Sequence, residues 1–453
     1  MTKEQQEELD NELDVFEDIY SDETICSEEE MKNNVIDSTT FDDILGYEEI
    51  KNQLYLSLGF IKDPSSYTNL GCKPPKGILL HGLPGVGKTM LASAFINASS
   101  LKSYIVKRLM DDKEFVEYLS STFQLARKNQ PCIIFLDDLD KFSKDNEDKK
   151  VFNILQSLID SIKNEKIYII ATANFLYKLP DSLIREGRFD TSIDVKTDEK
   201  THEKIIRESL KRIKLSNDIN VDDIIAMSSL TSPVSIKNTI NKTCMLAARN
   251  KQDEITMDNF VSIFSNIVEE DDWKEDERLK EIAFHEAGHA VVQEAIKQCS
   301  IGFVTVKFNR VSCERGYTKS RVFIDSRQAF LLIALAGKVS VELNLPLTAS
   351  GCANDIESAM SAVNALLTIH GEYSYQYLKY QGNDSPISDK QVTIEAFLMS
   401  IYEKYVKRIL LQNKALLLAM VDVLLDKGYL LNSDIKNLEE KHPLVPFDIN
   451  SII

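Results

Sequence analysis

Gly82-Leu83-Pro84-Gly85-Val86-Gly87-Lys88-Thr89 stands directly behind the apolar run Gly77-Ile78-Leu79-Leu80-His81, and residues 90–99 after it read as a helix. The octet matches G-x-x-x-x-G-K-[ST], the P-loop pattern, in the strand–turn–helix setting that the pattern requires. Small residues let backbone N–H groups surround phosphates, and the N-terminus of the following helix adds favourable positive potential. Lys88 is placed to reach the β- and γ-phosphates of ATP and Thr89 to ligate Mg²⁺. Gly82, Pro84, Gly85, Val86, Gly87 and Met90 complete the expected nucleotide loop.

Working outward, Cys132-Ile133-Ile134-Phe135-Leu136 is a second apolar strand, and it ends in Asp137-Asp138. An apolar strand ending in acid is the Walker B arrangement. Asp137 is expected to hold Mg²⁺ through water and Asp138 to orient the attacking water. A third strand is expected at 167–171. Strands alternating with helical patterns predict a parallel α/β sheet. From 198 to 267 the pattern turns wholly helical, with apolar residues at helical spacing over 236–249.

The charge run Glu269-Glu270-Asp271-Asp272-Trp273-Lys274-Glu275-Asp276-Glu277 reads as a junction between domains. Past residue 280 the pattern is mostly helical, broken by a β-like stretch at 302–308. This part contains His285-Glu286-Ala287-Gly288-His289, which fits H-E-x-x-H. At 3.6 residues per turn, positions i and i+4 share one helix face, so both imidazoles can reach one Zn²⁺. Zinc lowers the pKa of a bound water towards neutrality, and Glu286 is placed to take its proton as it attacks a peptide carbonyl. The chain has six His, so a chance match of this pattern is rare. A catalytic zinc needs a third protein ligand, which the motif does not name. The other downstream histidines, His370 and His442, sit in uninformative contexts.

The 453 residues argue for two or three domains. Net charge is −18, and residues 1–40 hold 14 Asp or Glu against two Lys. That stretch reads as a solvated, disordered arm. It is a solubilising tail or, alternatively, a dock for a basic adaptor anchored by Phe16, Ile19 and Tyr20. The acidic balance excludes nonspecific nucleic-acid binding, which needs basic surface. The seven cysteines show no C-x-x-C spacing and suit a reducing compartment. With no signal-like N-terminus and no apolar run long enough to span a bilayer, the expectation is a soluble, cytoplasmic chain without an integral membrane segment.

The order of these motifs resembles the FtsH family of ATP-dependent zinc metalloproteases, from about residue 40 to about residue 438. Thr40-Phe41-Asp42-Asp43-Ile44-Leu45-Gly46 resembles the lead-in to the family's AAA module. Ala171-Thr172-Ala173-Asn174 resembles sensor 1, with Asn174 as its polar residue. Ile184-Arg185-Glu186-Gly187-Arg188-Phe189-Asp190 resembles the arginine-finger segment, which implies that Arg188 acts on a neighbouring subunit's nucleotide in a ring, normally a homohexamer. Gly316-Tyr317-Thr318 resembles a short segment of the peptidase domain. Ser350-Gly351-Cys352-Ala353-Asn354-Asp355 resembles the segment supplying the third zinc ligand, which implies Asp355. The implied fold is multidomain. It runs from an acidic arm (1–39) through an AAA α/β nucleotide-binding domain (40–195), a helical lid (196–268) and a charged linker (269–279). A mostly α-helical zinc metallopeptidase domain (280–442) and a tail (443–453) follow.

The chain also departs from the family's pattern. Asp138 stands where the second Walker B acid is normally Glu, and one methylene less withdraws the carboxylate by roughly 1.5 Å. Thr191 replaces the second finger arginine, Pro233-Val234 the sensor 2 small pair, and Asp160-Ser161-Ile162 the Asp-Gly-Phe signalling segment. The pore-loop position falls on Asp111-Asp112-Lys113, or on Phe115-Val116 with a shifted alignment. The departures cluster where ATP is coupled to substrate movement, whereas the peptidase residues are intact. Three functions are therefore compatible with the residues. The first is an ATP-dependent zinc endopeptidase acting on polypeptides. The second is a zinc peptidase whose AAA module binds ATP mainly for assembly, with weak hydrolysis. The third is a non-proteolytic AAA chaperone or binding protein.

Overall fold

The computed structural model describes residues 37–72, 76–108, 112–143, 150–185, 187–264, 266, 273–309, 314–346, 352–368 and 389–452. The acidic arm as far as residue 36, Asp111, Glu186, the charge run from 269 to 272, Ser350-Gly351 and His370 lie outside them. Two compact units divide the chain, one up to Thr201 and one from His202.

The first unit is a five-stranded parallel sheet flanked by helices. In chain order it comprises α1 (Glu48–Lys62), α2 (Pro64–Asn69), β1 (Gly77–His81), α3 (Lys88–Ser99), β2 (Lys102–Lys107), α4 (Asp112–Lys128), β3 (Cys132–Asp137), α5 (Lys150–Ser161), β4 (Ile167–Ala173) and β5 (Thr191–Asp194). The strand order is β2-β3-β4-β1-β5, and every pairing is parallel. Strands covered on both faces read as continuous apolar runs, as Cys132–Asp137 does with every residue buried. The order brings the carboxyl ends of β1, β3 and β4 together, the usual place for a ligand in an open α/β sheet. On α4, Phe115, Leu119, Phe123 and Ala126 form one buried stripe at helical spacing. Phe115 is fully buried and meets Phe142 edge-on, with ring centroids 4.9 Å apart. It is therefore a core residue, which removes the shifted pore-loop alternative.

The second unit begins within α6 (Glu199–Leu210) and continues through α7 (Val221–Ser228), α8 (Pro233–Arg249) and α9 (Met257–Phe264). Then come α10 (Leu279–Ile296), β6 (Ile301–Asn309), β7 (Glu314–Ser320), α11 (Arg327–Asn344), α12 (Ala353–Thr368), α13 (Asp389–Gln412), α14 (Lys414–Lys427), β8 (Tyr429–Leu431) and α15 (Asn432–Lys441). Ser232 caps α8 by accepting from the Ser235 amide, with Pro233 in the first turn. Ile224, Met227, Ile236, Ile240 and Phe260 of the earlier helices share one core with Phe303, Tyr429 and Leu431 of the later sheet. That sheet is antiparallel in the order β7-β6-β8, so β7 lies at an edge. Helix α10 is buried on nearly every side, as expected of a helix without a polar face. It packs closely on α11, where Ser340 Oγ donates to the Phe284 carbonyl at 2.6 Å.

Candidate functional site

His285 and His289 lie one turn apart on α10, and Asp355 stands in the first turn of α12. The Nε2 atoms of the two histidines are 3.1 Å apart. Asp355 Oδ2 is 3.0 Å from His285 Nε2 and 3.2 Å from His289 Nε2. A tetrahedral ion with ligands at ~2.0–2.1 Å has ligand–ligand edges of roughly 3.3 Å. The three atoms thus form one near-equilateral face of such a site. Two imidazoles and a carboxylate also make a donor set suited to zinc. Among the described residues this trio is a cluster able to hold a metal. His289 Nδ1–H donates to the Ile333 carbonyl at 2.7 Å, which leaves the Nε2 lone pair facing the site.

Burial opposes ionisation of Asp355. The adjoining His285 and His289 imidazoles outweigh it and hold the carboxyl well below the usual carboxylate range. Glu286 is 6% exposed. Burial pushes its pKa up, against the pull of the two histidines and a hydrogen bond from Thr318. That bond runs from Thr318 Oγ1 to Glu286 Oε2 at 2.7 Å. A cavity of about 420 Å³ opens over these residues, with Arg278, Arg315, Tyr317 and Phe330 in its wall.

Two features of this centre have no role assigned from the sequence. One is the Thr318 hydroxyl, carried on a strand whose pairing the sequence does not disclose. The other is Gly337 on α11. A Cβ there would lie 2.4 Å from His285 Cε1 and 2.6 Å from His289 Nε2, so only glycine leaves room for both rings. Its signal in the sequence is an unexplained glycine inside an apolar helical run.

In the first unit the expected nucleotide loop joins β1 to α3, with Gly82, Gly85 and Gly87 all at positive φ. Lys88 is buried and donates to the carbonyls of Gly82 and Leu83 and to Asn174 Oδ1, each at 2.8 Å. Thr89 Oγ1 lies 3.2 Å from Asp137 Oδ1, which also accepts from Thr172 Oγ1 at 2.8 Å. Lys107 Nζ donates to the other Asp137 oxygen at 3.0 Å. Asp138 accepts from Lys141 Nζ at 2.8 Å and from Asn174 Nδ2 at 3.2 Å. Lys88, Thr89, Asp137, Asp138 and Asn174 are therefore brought together. Tyr47 was missed: its hydroxyl donates to the Val86 carbonyl at 2.7 Å and steadies the loop from the N-terminal side.

Arg188 does not join this group. It is 8% exposed and makes a bidentate pair with Asp160 at 3.1 and 2.7 Å. Its remaining nitrogen donates to Gln156 Oε1 at 2.7 Å and to the Ser182 carbonyl at 2.6 Å.

Residues 78–197 match the family model described as "ATPase family associated with various cellular activities (AAA)". Over 373 residues the chain is 31% identical to "ATP-dependent zinc metalloprotease FtsH 4" of Synechocystis sp., covering 74% of this chain and 58% of that protein. It is also 31% identical to "ATP-dependent zinc metalloprotease FtsH 2" of Bdellovibrio bacteriovorus, over 73% of this chain and 58% of the relative. A Helicobacter pylori "ATP-dependent zinc metalloprotease FtsH" is 26% identical over 88% of this chain and 70% of its own length. The chain thus spans a little over half the length of the first two relatives. No helix among the described residues is long and apolar enough to cross a membrane. The chain is FtsH-like: an α/β AAA module is followed by a largely helical region that carries the His285-Glu286-Ala287-Gly288-His289 helix, with similarity to ATP-dependent zinc metalloproteases over most of its length.

Proposed function

We propose that the chain is an ATP-dependent zinc endopeptidase acting on polypeptides. The observation that carries this reading is the triangle of His285, His289 and Asp355 with the buried Glu286 beside it. A zinc ion held by those three residues would supply Lewis acidity for hydrolysis of a peptide bond. Glu286 serves as general base and takes a proton from the attacking water on its carboxylate. Its burial keeps competing solvent away, and its raised proton affinity suits it to accept that proton. The cavity over the site receives the extended substrate, with Tyr317 and Phe330 offering apolar contact.

At the other centre, Lys88 leaves the Gly82 and Leu83 carbonyls to meet the β- and γ-phosphates of ATP. Thr89 would ligate Mg²⁺ and Asp137 would hold it through water, while Asp138 and Asn174 orient the attacking water. Arg188 reaches a neighbouring subunit's nucleotide in a homo-oligomeric ring, normally a hexamer, and to do so it must leave Asp160. The domain limits 40–195, 196–268 and 280–442 and a cytoplasmic location belong to the same proposal. The acidic arm serves in it as a solubilising tail, with docking of a basic adaptor as the alternative.

The test compares cleavage of a folded protein and of fluorescein-labelled casein by the zinc-loaded chain, with and without ATP. ATP-dependent loss of the folded protein is expected. Cleavage of casein alone, indifferent to ATP, would instead make the AAA module an assembly platform. The Asp138–Lys141 pair and the inward Arg188 favour that second reading. Cleavage of neither substrate would end both.

A further inference from the structure

Gly316-Tyr317-Thr318 has a place in the sequence resemblance but no task in the chemistry so far. On β7, residues 316, 318 and 320 alternate onto the face turned to α10. Ser320 Oγ donates to Gln293 Oε1 at 2.9 Å. Thr318 Oγ1 stands 2.7 Å from Glu286 Oε2 and 3.2 Å from the Glu286 carbonyl, and its single proton goes to the nearer carboxylate oxygen. Gly316 sits at φ +88°, and a Cβ there would come within 2.5 Å of Glu286 Oε1. Strand β7 is itself held in register, with Thr318 opposite Val304 of β6. Lys319 on its other face donates to the Met227 carbonyl at 2.6 Å. A β-branched threonine on a fixed strand has little freedom at χ1.

We infer that Thr318 is the positioning residue for Glu286: its hydroxyl fixes one carboxylate oxygen, and the missing side chain at Gly316 leaves space for the other. This inference rests on the reading of Glu286 as base. Oε2 accepts from Thr318, which fixes the rotation of the carboxylate, so its rotamer is selected before substrate arrives. Misplacing a catalytic group by about 1 Å costs on the order of 10²-fold in rate. The effect belongs in kcat, because the Thr318 hydroxyl is engaged by the Glu286 carboxylate.

The experiment uses the full chain loaded with zinc and fluorescein-labelled casein as probe. Thr318→Val keeps the shape and removes the donor. It is expected to lower kcat by about 30- to 100-fold with KM changed less than about twofold. Thr318→Ser restores the hydroxyl and is expected to recover kcat to within about fivefold. Zinc per chain and the thermal midpoint report folding, and Thr318→Ala replaces Thr318→Val should the latter not fold. Glu286→Gln separates the two ideas. If Glu286→Gln is inactive while Thr318→Val and Thr318→Ala match wild type, the base reading stands and the inference is overturned. Crystal structures of zinc-loaded wild type and Thr318→Val give a readout independent of turnover. A displaced or disordered Glu286 carboxylate in the variant supports the inference, and an unmoved one overturns it.

Discussion

At the scale of single residues, the metal centre depends on two atoms that are absent as much as on the ligands present. Gly337 is the sharper case, because its neighbours are imidazole atoms that cannot withdraw without leaving the site. Gly337→Ala is expected to remove most zinc from the purified chain and to destabilise the metal-free protein by about 1–3 kcal/mol through overpacking. Metal analysis and denaturant unfolding check both effects. Zinc at wild-type occupancy would show that α11 can shift at no cost. Asp138 invites the opposite kind of change. Its short side chain is drawn to Lys141 and Asn174, and lengthening it by one methylene moves the carboxylate about 1.5 Å towards the phosphates. Asp138→Glu is expected to raise the kcat of ATP hydrolysis by about tenfold or more while leaving the KM for ATP within about twofold. A fall in kcat would mean that this loop has been rebuilt around aspartate.

At the scale of elements, the tie between α5 and the segment behind it is readable as a pH dependence. Hydrogen bonding from Arg188, opposed by partial burial and helped by Lys163, holds the Asp160 carboxyl down to about 2. The unfolded value is near 4. A carboxyl depressed on folding contributes stability that is fully present above the unfolded pKa and lost as pH falls through the folded one. The stability gap between wild type and Asp160→Asn should therefore be constant above about pH 5 and close between about pH 4 and 2. Urea midpoints across that range measure it, and a gap unchanged at pH 2 would mean that the carboxylate charge contributes nothing.

The same scale shows what the sequence discloses and what it hides. The strands at 77–81, 132–137 and 167–173 are legible because both faces are covered and the runs are apolar throughout. Lys102–Lys107 escapes, since it lies at the sheet edge and alternates buried and half-exposed residues between two lysines. Thr191–Asp194 escapes because it is four residues long and mostly polar. Glu314–Ser320 escapes for a similar reason, having the composition of a loop and a strand's pairing only through β6. That strand carries Thr318, so the hydroxyl beside Glu286 was hidden with it. His285, Glu286 and His289 were legible because four-residue spacing on a helix needs no tertiary information. Asp355 was reachable only through resemblance, being 66 residues further on than His289. Arg188 was legible as a motif, but its inward pairing with Asp160 depends on packing that no local pattern encodes.

At the scale of the molecule, two candidate sites share one chain, the expected nucleotide loop in the first unit and the triangle of His285, His289 and Asp355 in the second. Of the departures from the family's pattern, Asp138, Asp160-Ser161-Ile162 and Thr191 fall in the first unit and Pro233-Val234 in the second. The second keeps His285, Glu286, His289 and Asp355 in a geometry that suits zinc. Hydrolysis at the metal triangle is the claim on which the remainder depends. Its most direct test is the initial rate of casein cleavage by the zinc-loaded full-length chain, measured for wild type beside Glu286→Gln at matched zinc content. The expected result is zinc-dependent cleavage by wild type, reduced by about 10²-fold or more in Glu286→Gln. Equal rates for the two proteins, or no cleavage by zinc-loaded wild type, would contradict it.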